Sequence, residues 1–335
     1  GDVIEDGSVK LVDGYVRFKT ADNSTNGNAV IAVTDGTNIL WSWHIWKTTY
    51  APNPDNSNTY DTYTTLALTS PVVASRSFKM MKYNLGATET SNWSSTATNA
   101  GDLGLLYQWG RKDPFVGALG WSSSSFITTT YTSGYDHTNV LNTTATASGY
   151  SGADATIRYA IENPTHFIYR SSSSTDTKDW LNATTRTEQR DNLWGNPNAT
   201  TTVPNSETGS KSIYDPCPPG WRTPPQDSFT RFTTTGSGTT TASEFNVSSS
   251  TFDKGWTFYY AATGSGATNY YPAVGYQLWS SGALENVASN TMCWSSSSYT
   301  SISTTAGSLG FSNSLLQPLG SSSRGCGFFI RCAQE

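Results

Sequence analysis

The side chains able to do chemistry are few and scattered. Four cysteines stand at 217, 293, 326 and 332, and three histidines at 44, 137 and 166. Four cysteines allow three pairings. A zinc site would need paired C-x-x-C spacing or a nearby histidine, and neither accompanies these cysteines. No metal is expected. Cys326 and Cys332 are i and i+6 on one presumed strand, which puts them on one side about 20 Å apart, too far to work as a thiol pair. No Gly-x-Ser-x-Gly elbow supports a serine nucleophile. Carboxylates such as Asp227 and Glu244 carry no spacing signal and read as solvated loop charges. These residues predict a protein that is not an enzyme and uses no cofactor.

The elements that would position any site are mostly strands. Val9 to Thr20 alternates apolar and polar residues around Asp13-Gly14. Ala29 to Val33 is a short apolar run, followed by the hairpin dipeptide Asp35-Gly36. In Ile39 to Trp46, the residues Ile39, Trp41, Trp43 and Ile45 share one uniformly bulky face, which predicts a half-buried strand. Three strands are not stable alone. This block must pack on the rest of the chain, on a partner, or belong to a larger sandwich. Residues 51–75 read as a polar connection, Ser77 to Leu85 as a strand, and Gly104 to Trp109 as a short apolar segment. Ala155 to Ile161 predicts a short helix stopped before Asn163-Pro164. Thr223 to Phe232 has proline at a first helical turn. The final third carries short strands between Gly and Ser clusters.

Composition narrows the function classes. Charged residues make up 13%, about half the usual share. The 12 Trp and 18 Tyr supply ample apolar area for a core. Net charge is −5 with no Lys/Arg cluster, so nucleic acid and anionic membranes are not expected partners. No apolar run approaches a membrane span of about 18 residues. Gly1 opens without a signal-peptide pattern, which predicts a processed or shortened chain.

Several phrases resemble a known family. Tyr214-Asp-Pro-Cys-Pro-Pro-Gly-Trp-Arg-Thr-Pro224, the Trp294-Ser-Ser-Ser run and Gly327-Phe-Phe-Ile-Arg-Cys332 resemble the major paralogous (FISUMP) domain. That domain is related to C-type-lectin folds of the formylglycine-generating-enzyme type. Tyr83-Asn-Leu-Gly-Ala87, Gly104-Leu-Leu-Tyr-Gln-Trp-Gly-Arg-Lys-Asp-Pro-Phe115 and Ile161-Glu-Asn-Pro164 resemble its extended version in Bacteroidetes surface proteins. Gly27 to Val33 and Ile39 to Trp46 resemble the last strands of a fimbrillin domain.

The resemblance implies an α+β fold. A C-type-lectin-like domain would cover residues 56–335, with insertions at 118–152 and 233–254, preceded by a fimbrillin-like β-strand segment at 1–50. It implies a disulfide from the first helix to the last strand, here Cys217 to Cys332, and leaves Cys293 and Cys326 to pair. It implies export to the cell surface, associated with outer membrane or pilus, and a role in adhesion. The partner would be a glycan or protein, with pilus or anchor subunits meeting the N-terminal strands. The Glu-Pro-Asn and Trp-Asn-Asp patterns of calcium-dependent sugar binding are absent, so calcium is not implied.

Loops rich in Tyr, Trp, Ser and Asn have the chemistry of adaptable recognition surfaces. The binding residues expected are Tyr276, Gln277, Trp279, Asn286, Ser297, Tyr299 and Asn313, with Trp294 in the core. Two alternatives follow from the same resemblance. One is a variable ligand-binding protein of a diversity-generating retroelement. The other is a formylglycine-generating-type thiol oxidase.

Overall fold

Turn chemistry sets the N-terminal hairpins. In the computed structural model, which describes residues 3–22, 26–69, 72–88, 101–118, 153–169, 178–181, 191–195, 210–298 and 304–335, β1 (Lys10–Val12) and β2 (Tyr15–Arg17) meet across Asp13-Gly14. Both turn residues have positive φ, 53° and 79°. β3 (Gly27–Thr34) and β4 (Ile39–Lys47) form a longer hairpin. Its turn is closed by the Asp35 carboxylate, which accepts from the Thr37 and Asn38 amides.

The expected connection at 51–75 contains a strand, β5 (Tyr60–Thr64). Its Tyr and Thr residues suit a pleated surface better than a loop. A small hairpin, β6 (Leu68–Thr69) with β7 (Val72–Val73), leads to β8 (Ser77–Met81) and then β9 (Leu106–Gln108). α1 (Ala153–Glu162) follows. The C-terminal part holds β10 (Trp221–Arg222), β11 (Gly255–Tyr259), β12 (Thr268–Pro272), β13 (Tyr276–Gln277) and β14 (Leu284–Glu285). The last strands are β15 (Asn290–Ser298), β16 (Thr305–Ser312), β17 (Leu316–Ser323), β18 (Gly327–Phe329) and β19 (Ala333–Gln334).

The central sheet runs β14-β13-β18-β15-β16-β17, with β9 also on β18. Most pairings are antiparallel; β15 and β18 are parallel. A second sheet, β10-β19-β8-β5, brings the chain's end against its first third. Side chains on a strand alternate between faces, and this alternation builds two cores. Cys293 and Phe329 join Phe232, Phe258 and Tyr271 on one side of the central sheet. Their neighbours Trp294 and Phe328 join Trp109, Trp180 and Trp221 on the other.

The α+β expectation is overturned: the chain is β-rich. Among the described residues α1 is the regular α-helix. The helix expected in Thr223 to Phe232 is a 3-10 turn, Gln226–Phe232. Pro225 enters it extended (φ −67°, ψ 157°), and i, i+3 spacing stacks Phe229 and Phe232 into the core. Its Asp227 carboxylate accepts two bonds from Arg76 at 2.8 Å, so the turn is pinned as a buried spacer. Of the two expected insertions, residues 119–152 lie outside the described part. The other, 233–254, is packed into the body through bridges Thr239–Leu316 and Val247–Phe258.

Candidate functional site

The β3–β4 hairpin docks on the body through its polar face, although the bulky face looked the better candidate. The Ser42 hydroxyl donates to Asp113 at 2.6 Å, and the Trp46 indole donates to the Ala87 carbonyl at 2.8 Å. The Asn28 amide donates to the Gly86 carbonyl at 2.7 Å, which leaves its oxygen facing His44 Nε2 at 2.8 Å. That assigns the proton of the neutral imidazole to Nε2, and leaves Nδ1 to accept from Tyr107 at 3.4 Å. Gly86 sits at φ 85°, and a Cβ there would meet the Leu105 side chain at 2.6 Å, so glycine is required.

The Gly110-Arg-Lys-Asp block supports the hairpin from below. Lys112 donates to Asp113 at 2.7 Å and to the Ser42 carbonyl at 3.1 Å, and its ammonium lies 4.6 Å from the Trp41 ring centre. Burial holds this ammonium below the usual lysine range. Arg111 closes the C-terminal end of α1 by donating to the carbonyls of Ala160, Asn163 and His166, where a cation favours the helix dipole.

The opposite wall is the Tyr214 to Pro219 segment. Asp215 is buried, and its oxygens accept from the Cys217 and Thr223 amides at 2.9 and 2.8 Å. Burial pushes this carboxyl up, against the pull of Lys211. Lys211 also donates to the carbonyls of Cys217 and Trp221. A disulfide from Cys217 to Cys332 staples the wall to the end of the chain.

Between the two walls runs a groove. Its first section encloses about 1000 Å3, with Trp41, Trp43 and Trp46 on the β4 side and Pro216, Pro218 and Pro219 opposite. A second section of about 630 Å3 continues past Ile39, Leu40 and Tyr214 to α1. The two share Ile213. Leu40, Trp43 and Ile213 are 53%, 38% and 72% exposed, so the rim keeps large apolar side chains in water.

The residues expected to bind ligand do not gather in one place. The Asn286 amide donates to the Tyr276 hydroxyl at 2.7 Å on the surface. Gln277 is buried against Gly327 on β18, and Ser297 is buried at the end of β15. Neither polar group has a hydrogen-bond partner among the described residues. Trp279 packs half-buried against the second core, with the Lys178 ammonium 5.8 Å from its ring centre. Asn313 is exposed in the β16–β17 turn. Tyr299 lies outside the described residues. Trp294 is buried, and its indole donates to the Tyr107 carbonyl at 2.7 Å.

The second expected bridge does not form. Cys293 and Cys326 are free thiols. They belong to different cores, on opposite sides of the central sheet. Burial pushes each thiol up to about 12. Such thiols do not ionise near neutrality. Nor do Cys326 and Cys332 share a strand, since β18 ends at Phe329 and β19 starts at Ala333. Comparison with protein-family models, curated proteins and solved structures returns no match. The resemblance to the FISUMP domain thus rests on the quoted motifs alone.

His44 makes hairpin docking pH-dependent. Burial lowers its imidazole from 6.5 to about 4. Between these values the unfolded chain binds a proton that the folded chain refuses, so stability falls as pH drops through this window. The expected loss is up to about 3 kcal/mol by pH 4. Denaturation curves from pH 7.5 to 4 should show it, and His44→Gln should flatten this component. An imidazole titrating near 6.5 by NMR would contradict it.

Proposed function

We propose that this chain is an exported surface recognition protein of adhesin type, and that it holds its partner in the groove between β4 and the Tyr214 to Pro219 segment. The observation that carries this reading is the rim of Leu40, Trp43 and Ile213, large apolar side chains left in water along one concave surface. Exposed apolar residues gathered on one concavity favour a binding site over loop filler. The disulfide fits an oxidising, extracellular setting. The motifs resembling FISUMP and fimbrillin proteins favour the same assignment.

A glycan array and arrayed surface proteins, probed with the labelled protein, would test it. Burying one rim side chain is worth about 1.5–3 kcal/mol, or roughly 10- to 150-fold in affinity. Ile213→Asp and Trp43→Ala should each weaken binding by at least tenfold, while Asn286→Ala and Asn313→Ala should not. The reverse pattern would move the site to the C-terminal loops. Loss of binding in neither set would reject the groove.

A further inference from the structure

The polar side chains of the groove's second section identify the kind of occupant, on the premise that the groove is the binding site. In the first section the ionisable groups are spent within the protein. His44 is bonded at both ring nitrogens, Lys112 to Asp113 and Ser42, and Asp215 to two amides. The second section differs. Arg158 on α1 donates from Nε to Glu162 Oε1 at 2.7 Å, one helical turn further on. Both Nη groups of Arg158 and the Oε2 of Glu162 make no hydrogen bond among the described residues. Nor do Asn192 Oδ1 and the Tyr214 hydroxyl, whose side chains line the same section. Unspent donors and acceptors thus meet among the apolar side chains of Ile157, Ile161 and Leu193. A few convergent polar groups in an apolar concavity are the makings of a ligand site.

Charge narrows the class of ligand. Arg158 is balanced by Glu162, Lys112 by Asp113 and Asp215 by Lys211. A lining balanced in this way offers a phosphate, sulfate or carboxylate no counter-ion, and an unpaired charge is costly to bury. The ligand is uncharged where it is held. Spacing narrows the class further. A hydroxyl both donates and accepts, so neighbouring hydroxyls can take a bond from Arg158 and give one to Glu162. An extended peptide turns successive amides to opposite sides and meets so compact a cluster with one or two groups. A sugar ring brings several hydroxyls along one rim. Its aliphatic C–H face, slightly positive, suits the negative face of an indole. Trp43, 38% exposed, offers such a surface in the adjoining section. Trp41 links the two sections by packing on Tyr214, with ring centres 5.8 Å apart.

We infer that the groove takes an uncharged oligosaccharide, end first. One pyranose ring sits in the second section, its hydroxyls bonded to Arg158, Glu162, Asn192 and Tyr214, and the next ring lies on Trp43. Side chains supply the polar contacts, and no metal ion takes part.

The test is an array of neutral oligosaccharides with their sialylated and sulfated counterparts, probed with the labelled full chain, beside a display of linear peptides. Neutral glycans should bind, and a chelator should leave that binding unchanged. For a selected glycan, Arg158→Ala, Asn192→Ala and Tyr214→Phe should each weaken affinity about tenfold by calorimetry. Arg158 is largely exposed, so its replacement should leave the melting temperature unchanged. Glu162→Gln deprives Arg158 of its counter-ion, so neutral binding should fall while the sialylated counterpart gains about fivefold. Preference of the unaltered protein for acidic glycans, dependence on calcium, or affinity insensitive to both Arg158→Ala and Tyr214→Phe would overturn the inference. So would an array without a bound neutral glycan, or peptides bound in place of glycans. A ligand of any of these kinds that is lost with Ile213→Asp and Trp43→Ala leaves the groove standing as the site. A glycan bound equally well by those two variants would instead remove the groove reading.

Discussion

Replacing Cys217 and Cys332 together by serine should cost about 5 kcal/mol of stability. The two residues are separated by 115 positions, and closing so long a loop removes much of the unfolded chain's freedom. The bridge also flanks a short strand pairing. β10 pairs with β19 over two residues, Trp221 with Gln334 and Arg222 with Ala333. Denaturant titration of the oxidised protein and the double serine variant should show the difference. Alkylation of the denatured protein without reductant, read by intact mass, should add two labels, on Cys293 and Cys326. Four labels would mean that the bridge is absent. A stability loss under 1 kcal/mol would mean that the surrounding contacts close the loop by themselves. Release of the bridge should also loosen the groove, because Cys217 lies in its Pro-rich wall. Ligand affinity should fall even where the variant stays folded.

The sequence made some of this legible and hid the rest for identifiable reasons. Strand positions at the N terminus followed from alternation and from Asp13-Gly14 and Asp35-Gly36, because turn geometry there is a local matter. The end of α1 before Asn163-Pro164 was equally local. The face by which β4 docks was not. Nothing local to the strand names the partners of Ser42 and His44: Asp113, Asn28 and Tyr107 lie 71, 16 and 63 positions away. The helix expected after Pro224 failed because the surrounding core, and not the segment's own propensity, chose the tighter turn. Composition points to the Ser- and Tyr-rich loops as the place for binding residues. Composition does not say which side chains are turned inward, and Gln277 and Ser297 are. A usable signal did exist. Trp41, Trp43 and Trp46 on one segment and Pro216, Pro218 and Pro219 on another are apolar clusters in excess of what two strands can bury.

Arg331 carries the second large effect. Its guanidinium is buried and has no carboxylate within ion-pair distance among the described residues. It is held instead by neutral oxygens. Nε and Nη2 donate to Asn84 Oδ1 at 3.0 and 2.8 Å, and Nη1 donates to Asn269 Oδ1 at 2.9 Å. Both Nη groups reach the Tyr270 carbonyl at 3.1 Å, and the cation lies 3.7 Å from the Tyr271 ring centre. One side chain thus ties the chain's last segment to the β11–β12 hairpin and to the loop after β8. Arg331→Leu fills part of the volume but takes this donor from the buried Asn84 oxygen and from the half-buried oxygens of Asn269 and Tyr270. Each such group costs about 1–3 kcal/mol, so the expected loss is about 4 kcal/mol. Arg331→Lys keeps the charge but not the planar fork that meets two side-chain amides at once. It should recover less than half of that loss. Denaturation midpoints of the three proteins would decide between this and a purely volumetric role. If packing alone mattered, leucine would be tolerated within about 1 kcal/mol and lysine would be the worse substitution, because an ammonium that cannot reach its acceptors leaves a buried charge unsolvated.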